Sequence, residues 1–214
     1  MSFICFRDVR KSFSGNPVLD YVNFSLEKGG IYGFIGRNGS GKTVVFKLMS
    51  GLIVPDSGKI LYDGENIVTQ RRFIDSMGVM IETPGFIPHY SGMKNLKILN
   101  SLSANPVSAE EIAGLVSRLG LDPKNRRPVR TYSLGLRQKL GIVQAVMNKP
   151  ELIILDEPMN SLDSNSAEEV RKLISELNQD GATVVMASHI AEDIESLCTR
   201  KFLVDNCTVK EVEA

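Results

Sequence analysis

Gly36-Arg37-Asn38-Gly39-Ser40-Gly41-Lys42-Thr43 is the stretch that decides how this 214-residue chain folds. Just before it, Ile31 to Ile35 is a short β-branched and aromatic run. Just after it, Val44, Val45, Leu48, Met49 and Leu52 recur at helical spacing, ending near Gly51. Strand, glycine-rich loop and helix in that order predict a phosphate cradle. The three glycines let the backbone turn its N–H groups inward, and the helix N-terminus adds partial positive charge. In such a loop the lysine, here Lys42, reaches the outer phosphates, and the hydroxyl of Thr43 holds Mg²⁺.

Upstream of the loop, residues 1 to 35 read as strands joined by tight turns, one of them at Gly15, Asn16 and Pro17. Downstream, the apolar spacing from about Gly92 to Met147 is helical. Ser108 and Glu111 form a capping box there, and Ile112, Leu115, Val116 and Leu119 form one face. This segment reads as a helical subdomain inserted into an α/β core. Leu152 to Leu155 is wholly apolar, as expected of a strand covered on both faces. A helix from Asp163 to Gln179, closed by Gly181, leads to the strand Thr183 to Ala187. Strand, helix and strand in sequence make a crossover, so the sheet is largely parallel. The expectation is one α/β domain over residues 1–214, with core at about 1–91 and 148–214 and helices at about 92–147.

Composition narrows the function. With 43% hydrophobic residues and 25 basic against 25 acidic side chains, the chain can fill a core and carries no net charge. That argues against bulk electrostatic binding to nucleic acid or to an anionic lipid surface. Cys5, Cys198 and Cys207 are an odd set without metal-ligand spacing, which fits a reduced, cytoplasmic compartment. The N-terminus is charged at Arg7, Asp8, Arg10 and Lys11, and no run reaches the ~18 apolar residues of a membrane span. A membrane role would therefore run through a partner chain.

Asp156 and Glu157 follow the apolar run Leu152 to Leu155, at the strand end where open α/β sheets bind ligands. Asp156 suits Mg²⁺ and Glu157 suits a general base for the attacking water; a pair of loop acids is the plainer alternative. His189 follows the strand Thr183 to Ala187, whereas His89, in Pro88-His89-Tyr90, reads as a loop residue. Arg10, Lys11 and Lys47 read as solvated charges.

The ordered set of marks resembles the ATPase subunits of ATP-binding cassette (ABC) transporters along nearly the whole chain. Besides the glycine-rich loop, it comprises Tyr132-Ser133-Leu134-Gly135-Leu136-Arg137-Gln138-Lys139-Leu140, Asn148-Lys149-Pro150-Glu151, Asp156-Glu157-Pro158, Ser161-Leu162-Asp163 and Ser188-His189. The resemblance implies a P-loop core with a largely parallel sheet, an N-terminal antiparallel β subdomain and the inserted helices. It implies an ATP hydrolase that uses ATP and Mg²⁺, works as a dimer with a second ATPase subunit and drives a separate membrane permease. Such a subunit is cytoplasmic and peripheral to the inner face of the membrane.

The resemblance also supplies roles that spacing does not. Ser133, Leu134 and Gly135 would contact nucleotide held by the partner subunit, with Ser133 also serving as an ordinary N-cap. Ser161, Leu162 and Asp163 would line the dimer interface, and His189 would touch the γ-phosphate. Phe13 would stack on adenine, the alternative being a core Phe. Val44 stands where a second hydroxyl is frequent, which removes one hydrogen bond worth about 1 kcal/mol.

Glu82, in Met80-Ile81-Glu82-Thr83-Pro84, occupies the place of the family's usual glutamine. It keeps an oxygen for the metal but adds charge beside Asp156 and Glu157, which predicts a raised Glu82 pKa when the metal is absent. The same Glu and a Tyr-Ser-Leu-Gly signature occur in bacterial exporters of peptide antibiotics such as bacitracin and lantibiotics. Export of such a compound is the resulting expectation; a soluble ABC ATPase of translation or DNA repair is the alternative. Phe86, Ile87 and Tyr90 would either line the permease-docking groove or form a satellite apolar cluster.

Overall fold

A computed structural model describes residues 2–66 and 76–212. Two sheets organise it. The N-terminal sheet is antiparallel and contains β1 (Ile4–Phe13), β2 (Asn16–Leu26), β4 (Ser57–Tyr62) and β5 (Glu65–Asn66), in the order β2-β1-β4-β5. The turn between β1 and β2 lies one residue earlier than its sequence signal. Ser14 and Gly15 take the positive φ values of 51° and 82°, and Asn16 and Pro17 already belong to the edge strand β2.

The second sheet has the order β10-β9-β3-β8-β7-β6. Its members are β3 (Ile31–Ile35), β6 (Met77–Met80), β7 (Leu152–Asp156), β8 (Thr183–Ala187), β9 (Arg200–Asp205) and β10 (Thr208–Val212). All its pairings are parallel except the terminal β9–β10 hairpin. Parallel strands have their C-terminal ends on one edge. The segments that follow β3, β6, β7 and β8 therefore meet there, although they are far apart in sequence.

The apolar strands divide by alternate residues between two cores. Leu152, Ile154, Val185 and Ala187 face α1 (Lys42–Met49) and the antiparallel sheet; Ile153, Leu155, Val184 and Met186 face the helical side. Phe34 ties the first core together, with its ring 5.4 Å from Phe46 of α1 and 5.1 Å from Phe202 of β9. Leu52, read as part of the α1 stripe, lies beyond the helix and is exposed.

The second core holds α4 (Leu134–Val146) and α5 (Ser164–Gln179) against the sheet, with α2 (Gly92–Ser101) and α3 (Ala109–Arg118) outside them. The capping box of α3 forms as read: Ser108 accepts from the Glu111 N–H, and the Glu111 carboxylate accepts from the Ser108 N–H. Ile112, Val116 and Leu119 of its face are buried. A final short helix, α6 (Ala191–Leu197), follows β8. No helix among the described residues is long and apolar enough to cross a membrane.

Candidate functional site

The loop from Gly36 to Gly41 joins β3 to α1 and wraps the helix N-terminus. Gly41 is the N-cap, at φ 110°, a conformation only glycine adopts without strain; no side chain caps the helix. The first-turn N–H groups of α1 are thus left for an incoming acceptor. Lys42 is buried and folds back on its own loop, donating to the carbonyls of Gly36 at 2.7 Å and Arg37 at 3.2 Å. The Ser40 hydroxyl oxygen is buried without a hydrogen-bond partner. A buried orphan hydroxyl and a lysine satisfied only by carbonyls describe a cradle built for an anion.

Thr43 Oγ1 donates to Asp156 Oδ2 at 2.7 Å, which joins the start of α1 to the end of β7. Burial pushes the Asp156 carboxyl above the usual carboxylate range. The nearby Glu157 and Glu82 push it the same way, while the Thr43 hydrogen bond and Lys42 oppose the shift. Three or more His, Cys, Asp or Glu groups able to share a metal do not occur together among the described residues. Mg²⁺ takes one or two protein groups together with phosphate oxygens and water. Thr43 and Asp156 are the pair that would hold it.

Glu157 stands at φ 51°, a strained position for a non-glycine residue of the kind that collects at functional sites. Its N–H donates to the Ala187 carbonyl, and Gln138 of α4 donates to its own carbonyl at 2.8 Å. The side chain is thereby aimed across β8. Glu157 Oε2 accepts the His189 backbone N–H at 3.2 Å and lies 2.7 Å from His189 Nδ1. With Glu157 Oε2 accepting from Nδ1–H, the other ring nitrogen, Nε2, is a donor only when the ring carries both protons.

Glu82, past the end of β6, is also at positive φ, 59°, and pairs with Lys47 Nζ at 2.8 Å. Lys47, one helical turn after Thr43 on α1, is a partly exposed charge, as read, with Glu82 as its countercharge. Among the site's acids, Asp156 is the one that burial pushes upward, with the charge of Glu82 adding to the push. Arg10 pairs with Asp20 and Lys11 with Asp56, on the surface as read. Phe13 is 46% exposed at the end of β1, outside both cores, with Lys11 Nζ 5.4 Å from its ring centre. Val44 is half-buried against the first core.

The signature segment begins α4. Ser133 is exposed and caps the helix by accepting from the Leu136 N–H at 3.3 Å, and Leu134 beside it is 52% exposed. Gly135 lies so close to the Ser161 carbonyl that a Cβ there would sit 2.8 Å from its oxygen. The segment Ser161-Leu162-Asp163 is thus packed under the signature of its own chain, with Asp163 capping α5 by accepting from the Ser166 N–H. Leu162 is half-buried. Further along α4, a Cβ at Gly141 would collide with Pro84 and Met80, so the signature helix rests directly on the strand and loop that carry Glu82.

That loop owes its shape to a residue sequence reasoning passed over. Asn95 of α2 is buried, accepts the Ile87 N–H at 2.7 Å and donates to the carbonyls of Ile87 and Ser91. Phe86 packs on the core, Ile87 is exposed, and Tyr90 carries Lys94 Nζ 3.6 Å from its ring centre. The apolar loop is therefore part satellite cluster and part free surface. His89 is exposed in it.

Comparison with known proteins bears on this geometry. The family model described as ABC transporter matches residues 19–160. The chain belongs to the ABC transporter family. It is 39% identical over 191 residues to an ABC transporter ATP-binding protein of Bacillus subtilis, a match covering 89% of this chain and 87% of the relative. It is 35% identical to a lantibiotic transport ATP-binding protein of Streptococcus pyogenes (89% and 82% covered). It is 38% identical to a bacitracin transport ATP-binding protein of Enterococcus faecalis (89% and 62% covered). Among solved structures, the ATP-binding subunit of an ABC transporter superposes with TM-score 0.87 at 24% identity, over 98% of this chain and 88% of that one. At that identity the superposition establishes the fold, a P-loop ABC cassette. This cassette is accordingly an ATP-binding, ATP-hydrolysing subunit of a transporter, with ATP and Mg²⁺ as its cofactors.

Proposed function

We propose that this cassette powers the export of a peptide antibiotic or a similar amphipathic compound through a separate membrane permease, acting as a dimer at the inner face of the cell membrane. The similarity to bacitracin and lantibiotic transport proteins supports the cargo class. The observation that carries the mechanism is the separation of two anion-directed helix ends in one chain. The start of α1 lies in the buried cradle, and the start of α4 is exposed with Ser133 at its tip.

In this reading, the cradle residues from Gly36 to Val44, with Phe13 stacked on adenine, hold the nucleotide. Thr43, Asp156 and Glu82 would hold Mg²⁺, which would supply neutralising charge to the phosphates. Glu82 must leave Lys47 to do so. Glu157 takes a proton from the attacking water, and the doubly protonated ring of His189 donates to the outer phosphate from Nε2–H. Ser133, Leu134 and Gly135 close over nucleotide bound to the second subunit, with Ser161, Leu162 and Asp163 at the interface. Because α4 rests on Pro84 and Met80, closure there moves the loop of Phe86, Ile87 and Tyr90, the surface offered to the permease.

The test replaces the cell's own copy with Glu157→Gln. The expected outcome is sensitivity to a bacitracin- or lantibiotic-type antibiotic. The purified variant is expected to bind Mg-ATP, turn over ~10² to 10⁴ more slowly and elute as a dimer. Unchanged resistance would defeat the export assignment; parental turnover would remove Glu157 as the base.

A further inference from the structure

Outside the nucleotide site, one carboxylate among the described residues has no contact with solvent. Asp193, in α6, is 0% exposed. Arg171 of α5, 22 residues earlier, donates to its Oδ1 from both Nε (2.9 Å) and Nη2 (2.8 Å). The Ser188 hydroxyl donates to Oδ2 at 2.8 Å and itself accepts the Ile190 N–H at 3.0 Å. Arg171 also reaches Glu168 and Glu192, at 3.3 and 3.4 Å, so its charge is shared at the rim and committed to Asp193 inside.

Ser188 and Ile190 are the two neighbours of His189. The backbone on both sides of that histidine is therefore fixed to a single buried carboxylate, and between the two fixed points its N–H and Nδ1 meet Glu157 Oε2. A buried ion pair gains little net stability, because desolvating both charges costs about as much as their attraction returns. What it imposes is direction. The paired guanidinium nitrogens leave Asp193 one orientation, and the second carboxylate oxygen then leaves the Ser188 hydroxyl one position.

Building on the assignment of Glu157 and His189 above, we infer that Asp193, locked by Arg171, is the positioning residue that holds the Ser188–Ile190 segment so that His189 meets Glu157. Neither Asp193 nor Arg171 touches the reacting atoms. Their effect passes through the Ser188 hydroxyl.

Ser188→Ala separates this from a merely structural role, since it leaves the Arg171–Asp193 pair intact and cuts only the link to the segment. The expected result is a fall of about tenfold in kcat, the scale of one lost hydrogen bond, with KM for ATP within about twofold of the parent. In nucleotide-free protein labelled with ¹⁵N-histidine, the His189 Nδ1 resonance should move while that of His89, the second of the chain's two histidines, stays as an internal reference. A second variant, Arg171→Met with Asp193→Leu, fills the same space without charge. It should fold and show the same loss of kcat. An unmoved His189 resonance with parental kcat in Ser188→Ala, or parental kcat in the double variant, would overturn the inference. Absence of ATP turnover in the parent would instead strike the functional assignment beneath it, while the resonance shift would still test the positioning.

Discussion

Two helix N-termini in this chain both point toward phosphate chemistry, and they are built differently. α1 has a glycine N-cap with no side-chain cap and is enclosed by its own loop, so its orphan N–H groups await a ligand. α4 spends one of those groups on Ser133, stands exposed, and presents Leu134 to solvent. A third N-terminus completes the series: α3 closes the reciprocal Ser108–Glu111 box and fills its first turn with its own acids, Glu110 and Glu111. The difference teaches that a helix end becomes a ligand site according to what already occupies it. A binding half, a closing half and a purely structural end can thus share one chain.

The largest effect should come from breaking the α1 half. Lys42→Ala removes the buried cation of the cradle, and charge-assisted hydrogen bonds are worth about 1.5–3 kcal/mol each. Titration calorimetry should show ATP affinity weakened about 100-fold. A loss under tenfold would mean that Lys42 stays on the Gly36 and Arg37 carbonyls when nucleotide arrives.

A smaller effect, of a different kind, belongs to α4. Ser133→Ala should leave ATP affinity of the isolated subunit within about twofold, because the residue lies outside the cradle, while steady-state turnover falls about tenfold through lost closure over the partner's nucleotide. The same change removes a cap and should lower stability to denaturant by about 1 kcal/mol. Equal losses in affinity and turnover would erase the distinction between the two ends.

The smallest effect sharpens the third case. The Ser108 N–H, joined by Lys149 and the Ser108 hydroxyl, lowers the pKa of Glu111 from the usual 4.5 to about 2. A carboxylate whose pKa is depressed by folding stabilises the folded state above its unfolded pKa, and that contribution disappears as pH falls through the folded one. Urea midpoints of the parent and Glu111→Gln should therefore differ at pH 7 and converge between about pH 4.5 and 2. ATP turnover at pH 7 should not change. A constant gap across that range would remove the box as its origin.

Legibility in the sequence followed the range of the forces involved. The cradle, the capping box at Ser108 and the apolar strand Leu152 to Leu155 were readable because neighbours within four residues fix a turn, a cap or a buried run. The β1–β2 turn was displaced by one residue, since Ser14 can take the positive φ that the pattern assigned to later positions. The partner of Lys47 and the role of Asn95 were illegible for another reason. A lysine on a helix and an asparagine within one carry no local signal, and each takes its meaning from a partner that only folding delivers: Glu82 for the first, the Ile87 backbone for the second. Ser188 was legible as the neighbour of His189, but its bond to Asp193, and the Arg171 that holds Asp193, were not.

By itself, then, the sequence determined the types of group and the order in which strands present them: a glycine loop with Lys42 and Thr43, acids after β7, a histidine after β8. Tertiary structure alone decided which groups meet. Parallel pairing gathers five strand ends on one edge, burial first and the nearby Glu157 and Glu82 after it raise the pKa of Asp156, and the packing of α4 on β6 joins the signature to Glu82. The physical reason is distance. Covalent order controls a turn or two of chain, whereas charge, desolvation and close packing act between atoms that sequence separates by a hundred residues.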